Sequence, residues 1–191
     1  MTWIVAGLGN PGDRYAATRH NLGYRVVDEL SSRAGERFKK VRFVPIDLAE
    51  TTVDRERVLL GKSNRFYNET GEVVASLARK RDVPADHVIA VHDDLDLAFG
   101  ALRVKFGGST AGNHGLDSMV SALRTPDFHR VRLGIGRPPG RQDPIGFVLE
   151  PFPKRAAADV AILVDAAADA VVSLVRDGLG PTQDRYNRSG R

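Results

Sequence analysis

Four short polar segments carry the side chains that could do chemistry: Asn10; Thr18-Arg19-His20-Asn21; Phe66-Tyr67-Asn68-Glu69-Thr70-Gly71; and His92-Asp93-Asp94-Leu95-Asp96-Leu97. A histidine and a carboxylate brought to one place make a general base. The aspartate bonds one imidazole nitrogen, fixes the tautomer, and leaves the other nitrogen free to take a proton from water. Carboxamides beside that pair hold a substrate or a developing oxyanion without perturbing the imidazole. Taken singly, each element is commonplace. A lone histidine is more often a structural hydrogen-bonding group than a base, and an asparagine ahead of a helix is usually a cap. Asp93, Asp94 and Asp96 also admit a Mg²⁺ site of paired carboxylates. That reading ranks lower, because adjacent residues of an extended chain point to opposite faces. A serine triad has little support, since no G-x-S-x-G elbow is present. The chain has no cysteine, which excludes a thiol nucleophile, a zinc ribbon, an iron–sulfur cluster and a disulfide scaffold.

The elements that must position these groups alternate along the chain. Strands are expected at Trp3–Ala6, Val41–Phe43, Val58–Leu60, Val88–Val91, Leu102–Phe106 and Val131–Ile135, each short, rich in β-branched or large apolar residues and bounded by Gly, Asp or Pro. Helical spacing of apolar residues predicts helices over Leu22–Arg33, Thr70–Arg81, Leu116–Leu123 and Lys154–Arg176. Such alternation makes an α/β domain: a twisted, mixed but largely parallel sheet flanked by helices on both faces. Arg42–Leu60, with two apolar runs and no helix signal, is expected to add an antiparallel hairpin. The length, 191 residues, fits one domain over 1–191, with a basic tail over about 181–191 that ends Arg185-Tyr186-Asn187-Arg188-Ser189-Gly190-Arg191 and is expected to be mobile. Hydrophobic residues make up 42% and charged residues 27%, the balance of a folded protein. No apolar run approaches the roughly 20 residues of a membrane span, and the N-terminus lacks the basic region of a secretory signal. A cytoplasmic enzyme or binding protein is the expectation. The net charge of +4 permits a polyanionic partner without demanding one.

In such sheets ligands bind at the carboxyl ends of the strands. This directs attention to Gly7–Gly12, Asp93–Asp96, Gly107–Gly115 and Gly134–Gly140. The first of these, Gly7-Leu8-Gly9-Asn10-Pro11-Gly12, matches G-x-G-x-x-G. A dinucleotide site wants a helix opening there and an acidic residue about 20 positions on. Asp28 and Glu29 lie near that distance but inside the helix predicted over Leu22–Arg33. Asp13–Thr18 has no apolar helix face. Dinucleotide binding is therefore a minority reading, and a plain tight turn is an equal competitor.

Read together, these segments closely resemble the bacterial-type peptidyl-tRNA hydrolase family. The resemblance runs from the Gly7–Gly12 turn through Tyr15, Thr18-Arg19-His20-Asn21, Gly23, Tyr67-Asn68-Glu69-Thr70-Gly71 and His92-Asp93-Asp94-Leu95-Asp96-Leu97. It continues through Gly100, Lys105, Gly107-Gly108, Gly115-Leu116 and Phe128–Pro138 to Phe147-Val148-Leu149. It implies cleavage of the ester between a peptide and the terminal ribose of tRNA, by a monomer that needs no metal or cofactor and contacts no membrane. On matching positions, His20 is the expected general base and Asp93 its orienting partner. Asn10, Tyr15, Tyr67, Asn68, Asn113 and His114 are expected at the substrate. Lys105 and Arg132 resemble the family's clamp on a tRNA phosphate.

Two positions depart from the family's pattern. Its glycine-rich loop usually reads Gly-His-Asn-Gly, whereas this chain has Gly112-Asn113-His114-Gly115, with histidine and asparagine exchanged. Either His114 donates the missing hydrogen bond, or the loop shifts to let Asn113 serve, or the contact is lost. Reduced or altered activity is the expectation. Tyr67 stands where the family usually has methionine. It is expected either to narrow the peptide pocket or to pack against His114. Ser109-Thr110-Ala111 replaces a stretch normally richer in glycine, so the loop is expected to be stiffer.

Arg103 and Lys105 share strand parity, as do Arg130 and Arg132, so two basic pairs could line one groove. Arg137, Arg141, Lys62 and Arg65 add further positive charge. A solvated basic face explains each of these equally well when taken alone. A non-catalytic tRNA- or RNA-binding paralogue on the same scaffold is the second hypothesis.

Overall fold

The computed structural model describes residues 1–187. Their seven strands form one sheet in the order β2-β3-β4-β1-β5-β7-β6. Its centre is parallel: β1 (Thr2–Gly7) lies between β4 (Glu56–Ser63) and β5 (Val88–Asp94), and β5 pairs with β7 (His129–Gly134). The margins are antiparallel, with β2 (Lys39–Val41) on β3 (Val44–Val53), β3 on β4, and β6 (Leu102–Phe106) on β7. The mixed α/β sheet expected from the sequence forms, but with three parallel and three antiparallel pairings it is not largely parallel.

Period-two alternation splits each central strand between two cores. Val5, Ile89, Val91, Val131 and Leu133 pack with α1 (Leu22–Arg33) and α5 (Ala157–Asp177). Ile4, Ala6, Val88 and Ala90 pack on the other face with α2 (Thr70–Arg81), whose partner α3 (His114–Leu123) contributes Leu116 and Met119. Helix α1 sits unusually close to the sheet. A Cβ on Gly23 would stand 2.2 Å from the Val91 carbonyl oxygen, so only glycine permits the approach.

Several sequence expectations need correction. Strand β5 runs on to Asp94, so His92 and Asp93 belong to a strand end rather than a loop. The run expected at Val41–Phe43 is broken, because Arg42 and Phe43 form the turn that closes β2 on β3 at Val41↔Val44. Phe43 adopts φ 66°, a left-handed conformation that sequence rules reserve for glycine or asparagine. Helix α3 starts at His114, two residues early, because Asn113 caps it and accepts from Leu116 N. Two short helices escape the periodicity: α4 (Pro144–Val148), capped by Asp143, and α6 (Leu179–Tyr186).

Where it is described, the tail is hydrogen-bonded to the sheet. Asn187 accepts from Val104 N at 2.8 Å and donates to Val104 O at 2.9 Å, extending the edge of β6. Residues 188–191 of the expected basic tail lie outside the described residues. Among the described residues, no helix is long and apolar enough to cross a membrane.

Candidate active site

The site lies at the carboxyl ends of β1 and β5, where three loops are tied by asparagines. Asn10 follows β1. Its N–H donates to Asn21 Oδ1 at 2.8 Å, and its C=O accepts from Asn21 Nδ2 at 2.9 Å. Asn21 thus behaves like a paired strand residue towards Asn10. The Asn10 Oδ1 in turn accepts from Tyr67 N at 2.8 Å. This clasp also answers the dinucleotide reading. The chain after Gly12 forms a 3-10 turn rather than a helix, and the Asn10 N–H that a phosphate would use is already taken.

Asn21 closes a 3-10 turn, Arg19–Asn21, that leads into α1. Arg19 points away from the cavity. It donates to the carbonyls of Phe147 and Glu150, and its guanidinium stacks on the Phe147 ring at 3.9 Å. His20 points the other way. Its Nδ1 lies 3.0 Å from both oxygens of Asp93, which is buried at the end of β5. The neighbouring His92 is no rival base. It is buried on the opposite face, its Nδ1 lies 2.8 Å from the Asp93 carbonyl oxygen, and burial holds its pKa below the ordinary histidine value.

Tyr67 differs most from its sequence expectation. It is buried under His20, and its ring stacks on the imidazole at 3.5 Å with 11° between planes. Its hydroxyl donates to Asp93 Oδ1 and accepts from Asn113 Nδ2, both at 3.0 Å. The partner from the glycine-rich loop is therefore Asn113, not His114. Burial, then the Asp93 charge, pushes the phenol well above its ordinary pKa.

A cavity of about 320 Å³ opens beside this cluster. His20, Asp93 and Asp94 form its floor, Asn113 and His114 one rim, and Leu95, Ile145 and Val148 an apolar wall. His114 is exposed at the first turn of α3. Asn68 is also exposed but faces a neighbouring hollow between α2 and α3 rather than this cavity. Tyr15 stands on the 3-10 turn Asp13–Tyr15, its hydroxyl accepting from Arg14 at 2.6 Å, and does not line the cavity.

The three aspartates are otherwise occupied. Asp94 Oδ2 accepts from Arg132 Nε at 2.8 Å, and Asp96 pairs with Arg137. Among the described residues no group of three or more His, Asp or Glu could hold a metal ion.

The basic pairs share one face, as parity required, with Arg103 opposite Arg132 and Lys105 opposite Arg130. Arg130 is not a surface charge, however. It is fully buried and donates to the carbonyls of Ser109 and Gly108 at 2.7 and 2.9 Å, propping the glycine-rich loop. Lys105 reaches Ser109 O at 3.3 Å. Of the other expected cations, Lys62 pairs with Asp28, Arg65 lines the hollow that holds Asn68, and Arg141 is exposed.

Comparison with known proteins agrees with this architecture. Residues 4–191 match the family described as peptidyl-tRNA hydrolase. The chain is 49% identical to the peptidyl-tRNA hydrolase of Nocardia farcinica over 184 residues, covering 96% of this chain and 95% of the relative. It is 48% identical to that of Frankia casuarinae over 185 residues, covering 97% and 93%. The crystal structure of peptidyl-tRNA hydrolase from Acinetobacter baumannii superposes with a TM-score of 0.90 at 29% identity, covering 97% of this chain and 94% of that one. An Arabidopsis thaliana 5′-methylthioadenosine nucleosidase shares the fold at a TM-score of 0.56 and 7% identity.

Proposed function

Because the chain belongs to the peptidyl-tRNA hydrolase family of carboxylic ester hydrolases, we propose that it frees tRNA from a peptide, or an N-blocked aminoacyl group, with a water activated by His20. The observation that carries this reading is the 3.0 Å contact of His20 Nδ1 with Asp93 at the floor of the cavity. With Nδ1 bonded to the carboxylate, Nε2 accepts the proton of a water that attacks the ester carbonyl. The tetrahedral intermediate expels the ribose oxygen, which recovers that proton from the imidazolium. An ester is activated enough that no covalent enzyme intermediate is required.

Asn10 offers Nδ2 for the substrate while its Oδ1 is fixed by Tyr67 N. Asn68 and Tyr15 contact more distal parts of the substrate, outside the cavity. The apolar wall takes a peptide side chain. Lys105 and Arg132 hold a phosphate of the tRNA.

The Asn113-His114 order bears on activity. Asn113 spends Oδ1 on the cap of α3 and one of its two Nδ2 hydrogens on Tyr67. His114, exposed beside the same cavity, is the loop side chain with the most freedom to meet the substrate. Its ring donates one hydrogen bond from a different position than a carboxamide would, so turnover is retained but reduced or redirected.

The test is hydrolysis of N-blocked aminoacyl-tRNA with a His20→Ala control. The expected loss is roughly 10²–10⁴-fold in kcat with tRNA affinity unchanged. Full turnover by the variant overturns the base assignment. Tight tRNA binding by the parent with no turnover favours the RNA-binding paralogue instead.

A further inference from the structure

We propose that Tyr67 is a positioning residue for proton transfer at His20, acting through a hydrogen-bonded bridge that ties Asp93 to the N-terminus of α3. The proposal rests on His20 being the base. The bridge is continuous: Leu116 N–H donates to Asn113 Oδ1, Asn113 Nδ2 to the Tyr67 hydroxyl, and that hydroxyl to Asp93 Oδ1, each at 3.0 Å. Asp93 also faces His20 Nδ1 at 3.0 Å through both oxygens.

The tyrosine is held from several sides. The imidazole lies flat on one side of its ring at 3.5 Å. A Cβ on Gly115 would stand 2.5 Å from the ring, so the helix backbone crowds it too. Asn10 Oδ1 fixes its backbone N–H. The phenol stays protonated because burial and the Asp93 charge both oppose its ionisation, so it remains a donor.

One carboxylate therefore serves two donors. Its hold on an adjacent imidazolium weakens when a second donor shares its charge. The Tyr67 hydroxyl thereby tempers how firmly His20 keeps the proton it takes from water. Asn113 strengthens the effect by polarising that hydroxyl. Tyr67 and Asn113 thus act as one device.

The ionisable groups around His20 are Asp93 and Tyr67 in contact with it, and Asp94, Asp96, His114 and Arg137 around the cavity. Asp94 is paired with Arg132 and Asp96 with Arg137. His114 has no ion-pair partner among the described residues, so the measurement is repeated with His114→Gln.

The experiment compares the parent and Tyr67→Phe by two readouts: the pH profile of kcat/KM on N-blocked aminoacyl-tRNA, and NMR titration of the His20 ring. In Tyr67→Phe the acid limb and the ring's titration midpoint both move up by about half to one pH unit. On that limb kcat falls about three- to tenfold at fixed pH with KM nearly unchanged. Asn113→Ala moves both in the same direction by less, and adds little on top of Tyr67→Phe, because both act through one oxygen. A limb and midpoint that stay in place in Tyr67→Phe overturn the proposal, as does an Asn113→Ala effect undiminished in the Tyr67→Phe background. A midpoint that moves without the limb upholds the bridge and overturns His20 as the base.

Discussion

Asn21 shows how much a residue can do for the site without lining the cavity. Its carboxamide satisfies both the buried N–H and the buried C=O of Asn10. That fixes the turn from which Asn10 Oδ1 reaches Tyr67 N, and hence the ring that lies against His20. Asn21→Ala leaves two buried backbone groups without partners. We expect it to cost about 2–4 kcal/mol in stability, the desolvation of two orphaned groups. Urea unfolding checks this through a lower midpoint at unchanged slope; a loss below about 0.5 kcal/mol would show that water replaces the amide. The sequence marks Asn21 only as the third member of an Arg-His-Asn triplet. Nothing in residue type tells which backbone groups it will meet eleven positions away, because that depends on how the Gly7–Gly12 turn closes. The His20–Asp93 pair was legible for the opposite reason: two complementary side chains stood at the ends of elements whose order the sequence already implied. The contacts of Tyr67 were not legible because its hydroxyl finds two partners from two other segments, and only the packed loops define them.

At the scale of elements, legibility follows the strength of the periodic signal. Helices α1 and α2 have the predicted bounds, since apolar residues recur at helical spacing between clear stops. Strand β5 is longer than its apolar run, because His92, Asp93 and Asp94 pair with β7 although they are polar. A site built on strand ends necessarily hides its own strand in this way. Helix α6 is short and polar with Pro181 inside, so it carries almost no signal of its own. What holds it is tertiary: Thr182 bonds Ser173 at 2.9 Å, and Gln183 and Asn187 both donate to Val104 O. Asn187 imitates a neighbouring strand by bonding both polar groups of one edge residue, which also blocks pairing of β6 with another chain. We expect Asn187→Ala to lower stability by about 1 kcal/mol and to speed hydrogen exchange at the Val104 amide selectively. Unchanged exchange there would mean that α6 covers the edge without the side-chain bonds.

Across the whole molecule, charge is sorted by the faces of the sheet. On β6 and β7, Leu102, Val104, Val131 and Leu133 take the α5 side, leaving Arg103, Lys105, Arg130 and Arg132 on the other. Four cations are thereby gathered on one face of this edge of the sheet. Within this cluster the cations do different work. Arg130 is consumed in propping the glycine-rich loop, and Arg132 is shared with Asp94. Lys105 makes no ion-pair contact among the described residues, although the Asp94 charge favours its charged form. Burial first, then the charges of Arg130 and Arg132, lowers its pKa below the ordinary lysine value, and a nearby phosphate would favour its charged form. If Lys105 binds tRNA phosphate as proposed, Lys105→Ala should weaken tRNA binding and flatten the log–log dependence of affinity on salt by about one charge. The rate at saturating substrate should stay near that of the parent, because a phosphate contact is made equally in ground and transition states. Arg132→Ala should flatten the salt dependence likewise, but it also unpairs Asp94 at the cavity floor, so a fall in kcat should accompany it. The contrast between the two variants separates a binding cation from one that serves both surfaces. An unaltered salt slope in Lys105→Ala would mean that this lysine only braces the loop through Ser109.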